Sequence, residues 1–187
     1  MLSSESILPL RALEMSRRAY HQLGERGAFE GLKVQLVNGT VVVTSPMGTP
    51  HAFVVAKLNR VLSRQVPEQF DVRVQLPIAA SDDSEPEPDF AIVEAATEPG
   101  SDHPTTASLV IEVADSSQKL DLGPKARLYA ACRVPEYWVI DLRTNTVVVH
   151  RSPQRGRYAS VRRHDRTRTV TAQKVPGVSL RLNDFLK

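Results

Sequence analysis

Two carboxylates stand where ordinary core strands would not place them. Asp89 follows Pro88 and opens an apolar run over 89–94, and Glu112 sits inside a second run, LVIEVA, over 109–114. Both runs read as strands. Alternation in the second puts Val110, Glu112 and Ala114 on one face and Leu109, Ile111 and Val113 on the other. A carboxylate in such a setting is costly to bury unless it is paired, protonated or bound to a metal. If the strands form an antiparallel pair across the loop at 95–107, Asp89 falls opposite Glu112 or Val113. Two acids at one point, with a strand-end carbonyl, suit a hard cation such as Mg²⁺ or Mn²⁺.

The third group is Lys125. Asp121 reads as a helix N-cap, Pro124 is tolerated in a first turn, and KARLYAAC then reads as helix, so Lys125 leaves the strand of Glu112 on the first turn of the next element. Asp, Glu and Lys around a metal are the equipment for phosphodiester hydrolysis. The metal positions water, and the lysine orients the nucleophile or neutralises phosphate charge. The competing reading is structural, with Asp89 as a turn acid and Glu112 simply paired to Lys125.

The remaining elements must position this group. Ser16 caps a short helix over 17–23 that ends at Gly24, and Asn38-Gly39 between 33–37 and 40–44 is a two-residue hairpin signal. A helix over Thr49–Gln65 carries Phe53, Val54, Ala56, Leu58, Val61 and Leu62 at a 3.6 period, with His51 at its start. A strand over 71–80 (apolar at Val72, Val74, Leu76 and Ile78) leads into SDDSEPEP, a loop whose Glu87 is a candidate supporting acid. Strands over 137–141 and 147–150 follow, with Trp138 as a core anchor and Asp141 as a turn former. The stretch 151–168 is rich in arginine and reads as a solvated hairpin. Arg157, Arg162 and Arg163 in it either grip phosphates or serve solubility. A short strand or turn over 178–186 closes the chain.

At 187 residues with 41% hydrophobic and 24% charged content, the chain fits one globular domain over 1–187, with 1–14 a candidate disordered start. The single Cys132 excludes an internal disulfide framework and, with no membrane-length apolar run and no signal-peptide pattern, points to the cytoplasm and away from a membrane partner. A net charge of +3 is compatible with nucleic acid without demanding it. Walker-type glycine loops and zinc-like Cys/His clusters are absent.

PEPDFAIVE, LVIEVADSS and DLGPKARLYAACRVPEYWVIDL together resemble the Uma2 family, a branch of the PD-(D/E)xK restriction-endonuclease-like superfamily. The likeness extends more weakly to VQLVNGTVVVTSPMGTPH and PGVSLRLNDF. It implies an α/β (α+β) fold, a mixed β-sheet flanked by helices with N- and C-terminal β additions. By resemblance Asp89 and Glu112 are metal ligands and Lys125 is the catalytic lysine, carried on the helix because Ala114 fills the superfamily's usual lysine position. Gln35 replaces a glutamate of the pattern, and His51 joins it and Glu87 on the site wall. The implied activity is a Mg²⁺- or Mn²⁺-dependent endonuclease acting on nucleic acid, DNA in the first place, as a homodimer that cuts both strands. The alternative is a nuclease-like module that binds nucleic acid or protein without cutting. A hydrolase of some other phosphate ester is the third reading.

Overall fold

The computed structural model describes residues 13–96 and 102–185. Much of the irregular start expected at 1–14 therefore lies outside the described residues, as does Leu186. Ser16 caps helix α1 (Arg17–Glu25) by accepting from the Ala19 amide at 3.2 Å. Strands β1 (Val34–Val37) and β2 (Thr40–Val43) pair across Asn38 and Gly39, whose φ angles of 47° and 69° are those of a tight hairpin turn.

Helix α2 (Thr49–Gln65) has the expected bounds, but its buried stripe is Val54, Val55, Leu58 and Leu62. Phe53 is half exposed beneath the Lys57 ammonium, and Ala56 faces outward. The expected strand at 71–80 is shorter, because β3 (Phe70–Val74) ends where Gln75 takes a φ of 50°. That left-handed residue breaks the alternation. Val72 and Val74 stay on one face of the sheet, while Ile78 packs on the other.

Strands β4 (Phe90–Glu94) and β5 (Leu109–Ala114) follow, the first beginning one residue after Asp89. The helix expected from an Asp121 cap instead starts earlier. Helix α3 (Gln118–Leu120) runs directly into a wide π-helical turn (Asp121–Lys125) and then into α4 (Ala126–Ala131). Asp121 is thus internal and buried. Pro124 has no amide to donate, and its ring would collide with the carbonyl four residues back, so the widened turn is the local solution.

Strands β6 (Glu136–Asp141), β7 (Thr146–Gln154) and β8 (Arg157–Asp165) complete a six-stranded sheet in the order β3-β4-β5-β6-β7-β8. Only β5 and β6 run parallel, joined by the α3–α4 crossover. The central β5 and β6 are buried throughout, as strands covered on both faces must be. One face carries α2 with β9 (Thr169–Thr171) and β10 (Ser179–Arg181), packed around Ile111, Trp138 and Leu180. The other carries α4, packed around Val110, Tyr129 and Val139. The β1–β2 hairpin is joined to the loop before β4 by reciprocal backbone bonds between Leu36 and Glu85, at 3.4 and 2.8 Å. No helix among the described residues is long and apolar enough to cross a membrane.

Candidate active site

The β4–β5 register pairs Phe90 with Ile111, so one step further Asp89 meets Glu112, as the symmetric pairing expected. The Asp89 amide donates to Glu112 Oε2 at 3.4 Å, and the Val113 amide donates to Asp89 Oδ2 at 2.8 Å. Alternation turns Glu112 toward the α4 face, where the Lys125 ammonium lies 2.7 Å from Oε1 and the Tyr129 hydroxyl donates to the same oxygen at 3.1 Å. Asp121 Oδ1 stands 3.7 Å from Lys125 Nζ, and the Ser117 hydroxyl holds its other oxygen at 2.5 Å. His51, from the first turn of α2, lies 2.9 Å from Asp89 Oδ1, and the Gln75 amide donates to that oxygen at 3.2 Å.

The charged groups are deeply set: Asp89 is 7% exposed, Glu112 4%, Asp121 2% and Lys125 3%. Burial pushes the Glu112 carboxyl up to about 8, against the pull of Lys125 and with help from Asp121 and Asp89. Asp121 is raised for the same leading reason. Burial also acts to strip Lys125 of its proton, but the Glu112 and Asp121 carboxylates outweigh it and raise the ammonium above its ordinary range. Burial works against ionised Asp89 too, yet His51 and the Val113 and Gln75 donors keep its carboxyl below the usual value. His51 is raised in return, because Asp89 overcomes the cost of burying its charge. The cluster therefore holds more acid than its buried lysine can neutralise.

That imbalance suits an added cation. Asp89 and Glu112 are the hard oxygen donors available to it, and Glu112 Oε2 has only the long Asp89 contact to give up. No three His, Cys, Asp or Glu side chains among the described residues form a ready-made cage. The donor set fits Mg²⁺ or Mn²⁺, which keep several waters and take one or two carboxylates from a protein.

These groups line a cleft of about 950 Å³ between the β1–β2 hairpin with its following loop and the segment after β5. Gln35 and Glu87 line it as well, and the Glu87 amide donates to Gln35 Oε1 at 3.3 Å. Glu87 also stands 3.8 Å from Lys33. The arginines do not converge. Arg162 pairs with Val149 and the adjacent Arg163 with Val148, so the two point to opposite faces of the hairpin, while Arg157 lies at its tip opposite Gln154. Arg163 is tied to Thr146 at 2.7 Å and lies 3.6 Å from Asp141. Cys132 is half buried, with its thiol pushed up to about 11 by burial, and is a poor nucleophile.

Sequence reasoning missed Gln75, Asp121 and Tyr129. A signal for two of them was present: Ser117, Asp121, Lys125 and Tyr129 recur every four residues, the spacing of one helix face. Gln75 had none, because the apolar alternation runs through it.

Among solved structures, the fold is similar to a crystal structure described as "a putative nuclease belonging to DUF820 from Anabaena variabilis ATCC 29413", with a TM-score of 0.71 and 14% identity over 91% of this chain and 97% of that one. No curated protein matches. The Uma2 profile, described as "Putative restriction endonuclease", matches residues 18–183, which take in every strand of the main sheet and all of the cleft cluster, and the chain belongs to the Uma2 family.

Proposed function

We propose that this protein is a metal-dependent endonuclease, with Asp89 and Glu112 holding Mg²⁺ or Mn²⁺ and Lys125 serving the phosphodiester. The observation that carries this reading is the buried Glu112–Lys125 contact of 2.7 Å facing a cleft beside Asp89, in a cluster with surplus acid. A merely structural ion pair needs neither the cleft nor the second and third acids. When bound, the cation supplies positive charge at the phosphate and an acidified water. The chain's own residues do the rest. Lys125 keeps its proton and stands ready to donate to a phosphate oxygen. Asp121 and Tyr129 fix the lysine and the Glu112 oxygen that it meets. His51 and Gln75 hold Asp89 in one orientation. Nucleic acid is the substrate class, DNA the first candidate, and cutting both strands of a duplex would take two copies of the chain.

Gln35 favours a second reading, in which the fold binds nucleic acid without cutting, because a neutral amide replaces a charged ligand. Incubation with plasmid and short oligonucleotides in Mg²⁺, Mn²⁺ or EDTA separates the two. Metal-dependent cutting that stops in EDTA is expected. Lys125→Met should cut more slowly by about a hundredfold while remaining folded. Intact substrate under every metal condition, or a Lys125→Met protein as fast as the parent, would overturn the catalytic reading.

A further inference from the structure

We propose that the cleft takes an unpaired nucleic-acid strand in preference to an intact duplex. This rests on the nuclease reading above and narrows its substrate. The first argument is depth. The acids and Lys125 are almost wholly buried at the floor of the cleft, so a phosphate must enter the slot to reach them. A duplex is a stiff rod with a persistence length of about 150 base pairs, and it brings its second strand and stacked bases wherever its backbone goes. A cleft of about 950 Å³ holds a drug-sized ligand, which corresponds to roughly two nucleotides.

The second argument is closure. A side-chain carbon placed on Gly48 would lie 3.4 Å from Asp115 Oδ2, so the loop after β2 and the turn after β5 come together along one side. The third argument is the chemistry of the rim. Leu32, Val43 and Met47 line the cleft although they are 53%, 59% and 44% exposed. A duplex offers such a rim mainly phosphates, which call for Arg and Lys. An unpaired strand also offers the faces of its bases, which suit apolar side chains, and the adaptable thioether of Met47 fits bases of differing shape. Exposed Lys33 and Lys119 on the same lining provide cations for the strand's phosphates. No arginine is among the described residues that line the cleft; Arg143 reaches only the Asp115 carbonyl beside it, and Arg157, Arg162 and Arg163 lie on β8, the far edge strand.

The test compares one labelled oligonucleotide as a single strand and as a duplex, by fluorescence anisotropy in EDTA at constant salt. The single strand should bind at least about tenfold more tightly. Equal or tighter duplex binding overturns the proposal. This arm does not depend on cutting. In Mn²⁺, a duplex with a central unpaired stretch should be cut there at least about tenfold faster than in its paired arms. Single-strand preference without cutting would support this inference and defeat the nuclease reading, whereas equal cutting of paired and unpaired segments would do the reverse. Replacing Leu32, Val43 and Met47 together by Ser, in protein shown to be folded by its melting curve, should weaken single-strand binding about fivefold or more and narrow the preference over duplex. If that variant instead turns a dimer into a monomer in sedimentation and leaves strand binding unchanged, the rim is a contact between copies and the proposal falls.

Discussion

Glu112 is costly for the fold to bury, and under the proposed function the same carboxylate is a metal ligand. Its folded-state carboxyl is raised to about 8 by burial, from an ordinary value of 4.5. A raised acid contributes stability that is full below its unfolded value and is lost as pH climbs toward its folded value. In metal-free protein this group should therefore remove up to about 1.4 kcal/mol per pH unit between roughly pH 4.5 and 8. Glu112→Gln mimics the protonated acid at every pH and lacks that loss. Lys125, left with only Asp121 at 3.7 Å, adds a change of the same sign if it begins to titrate. The expected result is a melting temperature for Glu112→Gln that gains on the parent's steadily from pH 5 to pH 8 in EDTA, while metal-dependent cutting is lost. A gap that stays constant across that range would show that Glu112 is ionised throughout, and the surplus-acid description of the cluster would be wrong.

At the level of elements, the sequence was most legible where one periodicity ran uninterrupted. LVIEVA on β5 and the whole of α2 came out with the right bounds, and the two carboxylates met because antiparallel geometry leaves few alternatives. The errors lie where backbone conformation changes inside an apolar pattern. Gln75 turns left-handed in mid-pattern and so becomes a partner of Asp89 instead of a strand residue. Asp121 looks like a cap because aspartate commonly is one, and the wide turn that buries it cannot be seen in side-chain periodicity. Phe53 fits the helical stripe by count but not by angle, because the stripe is centred on Val54 and Leu58. The π-helical turn carries a prediction of its own. Pro124→Ala restores the missing amide and relieves a proline cost of about 3 kcal/mol in a helix interior, so it permits an ordinary helix. Relaxation would rotate Lys125 away from Glu112 Oε1 and Asp121 away from Lys125. The variant should melt no lower than the parent yet cut at least about tenfold more slowly. Full activity would mean that the wide turn is kept by other contacts and that Pro124 does not set the lysine's position.

For the molecule as a whole, the outer β9–β10 pair must be held to the main sheet, and a buried carboxylate outside the cleft lining does this. Glu136, 1% exposed at the start of β6, accepts from the Trp138 indole at 2.9 Å and from Arg151 Nε at 2.7 Å, and its other oxygen accepts from the Gln173 amide at 2.7 Å. Arg151 also reaches the Thr171 carbonyl at 2.6 Å, so the pair clasps β9 and the loop after it. Unlike the cleft group, this acid has a donor on each oxygen and a partly exposed guanidinium beside it, so its charge is matched where it stands. Glu136→Gln should remove the ion pair and turn an amide N–H toward one of these donors, at a cost of about 2 kcal/mol or more. For a chain of 187 residues that corresponds to a melting temperature lower by roughly 4–8 °C. Because the loss is at the clasp, limited proteolysis should reach the segment from 166 to 176 before the main sheet, and the rate of nucleic-acid cutting per folded molecule should stay at the parent's value. Glu136→Gln combined with Arg151→Met should cost clearly less than the sum of the single changes, as expected for directly coupled partners. Additive costs, or early cleavage elsewhere in the chain, would show that β9 and β10 are held by the Val170, Val178 and Leu180 packing alone.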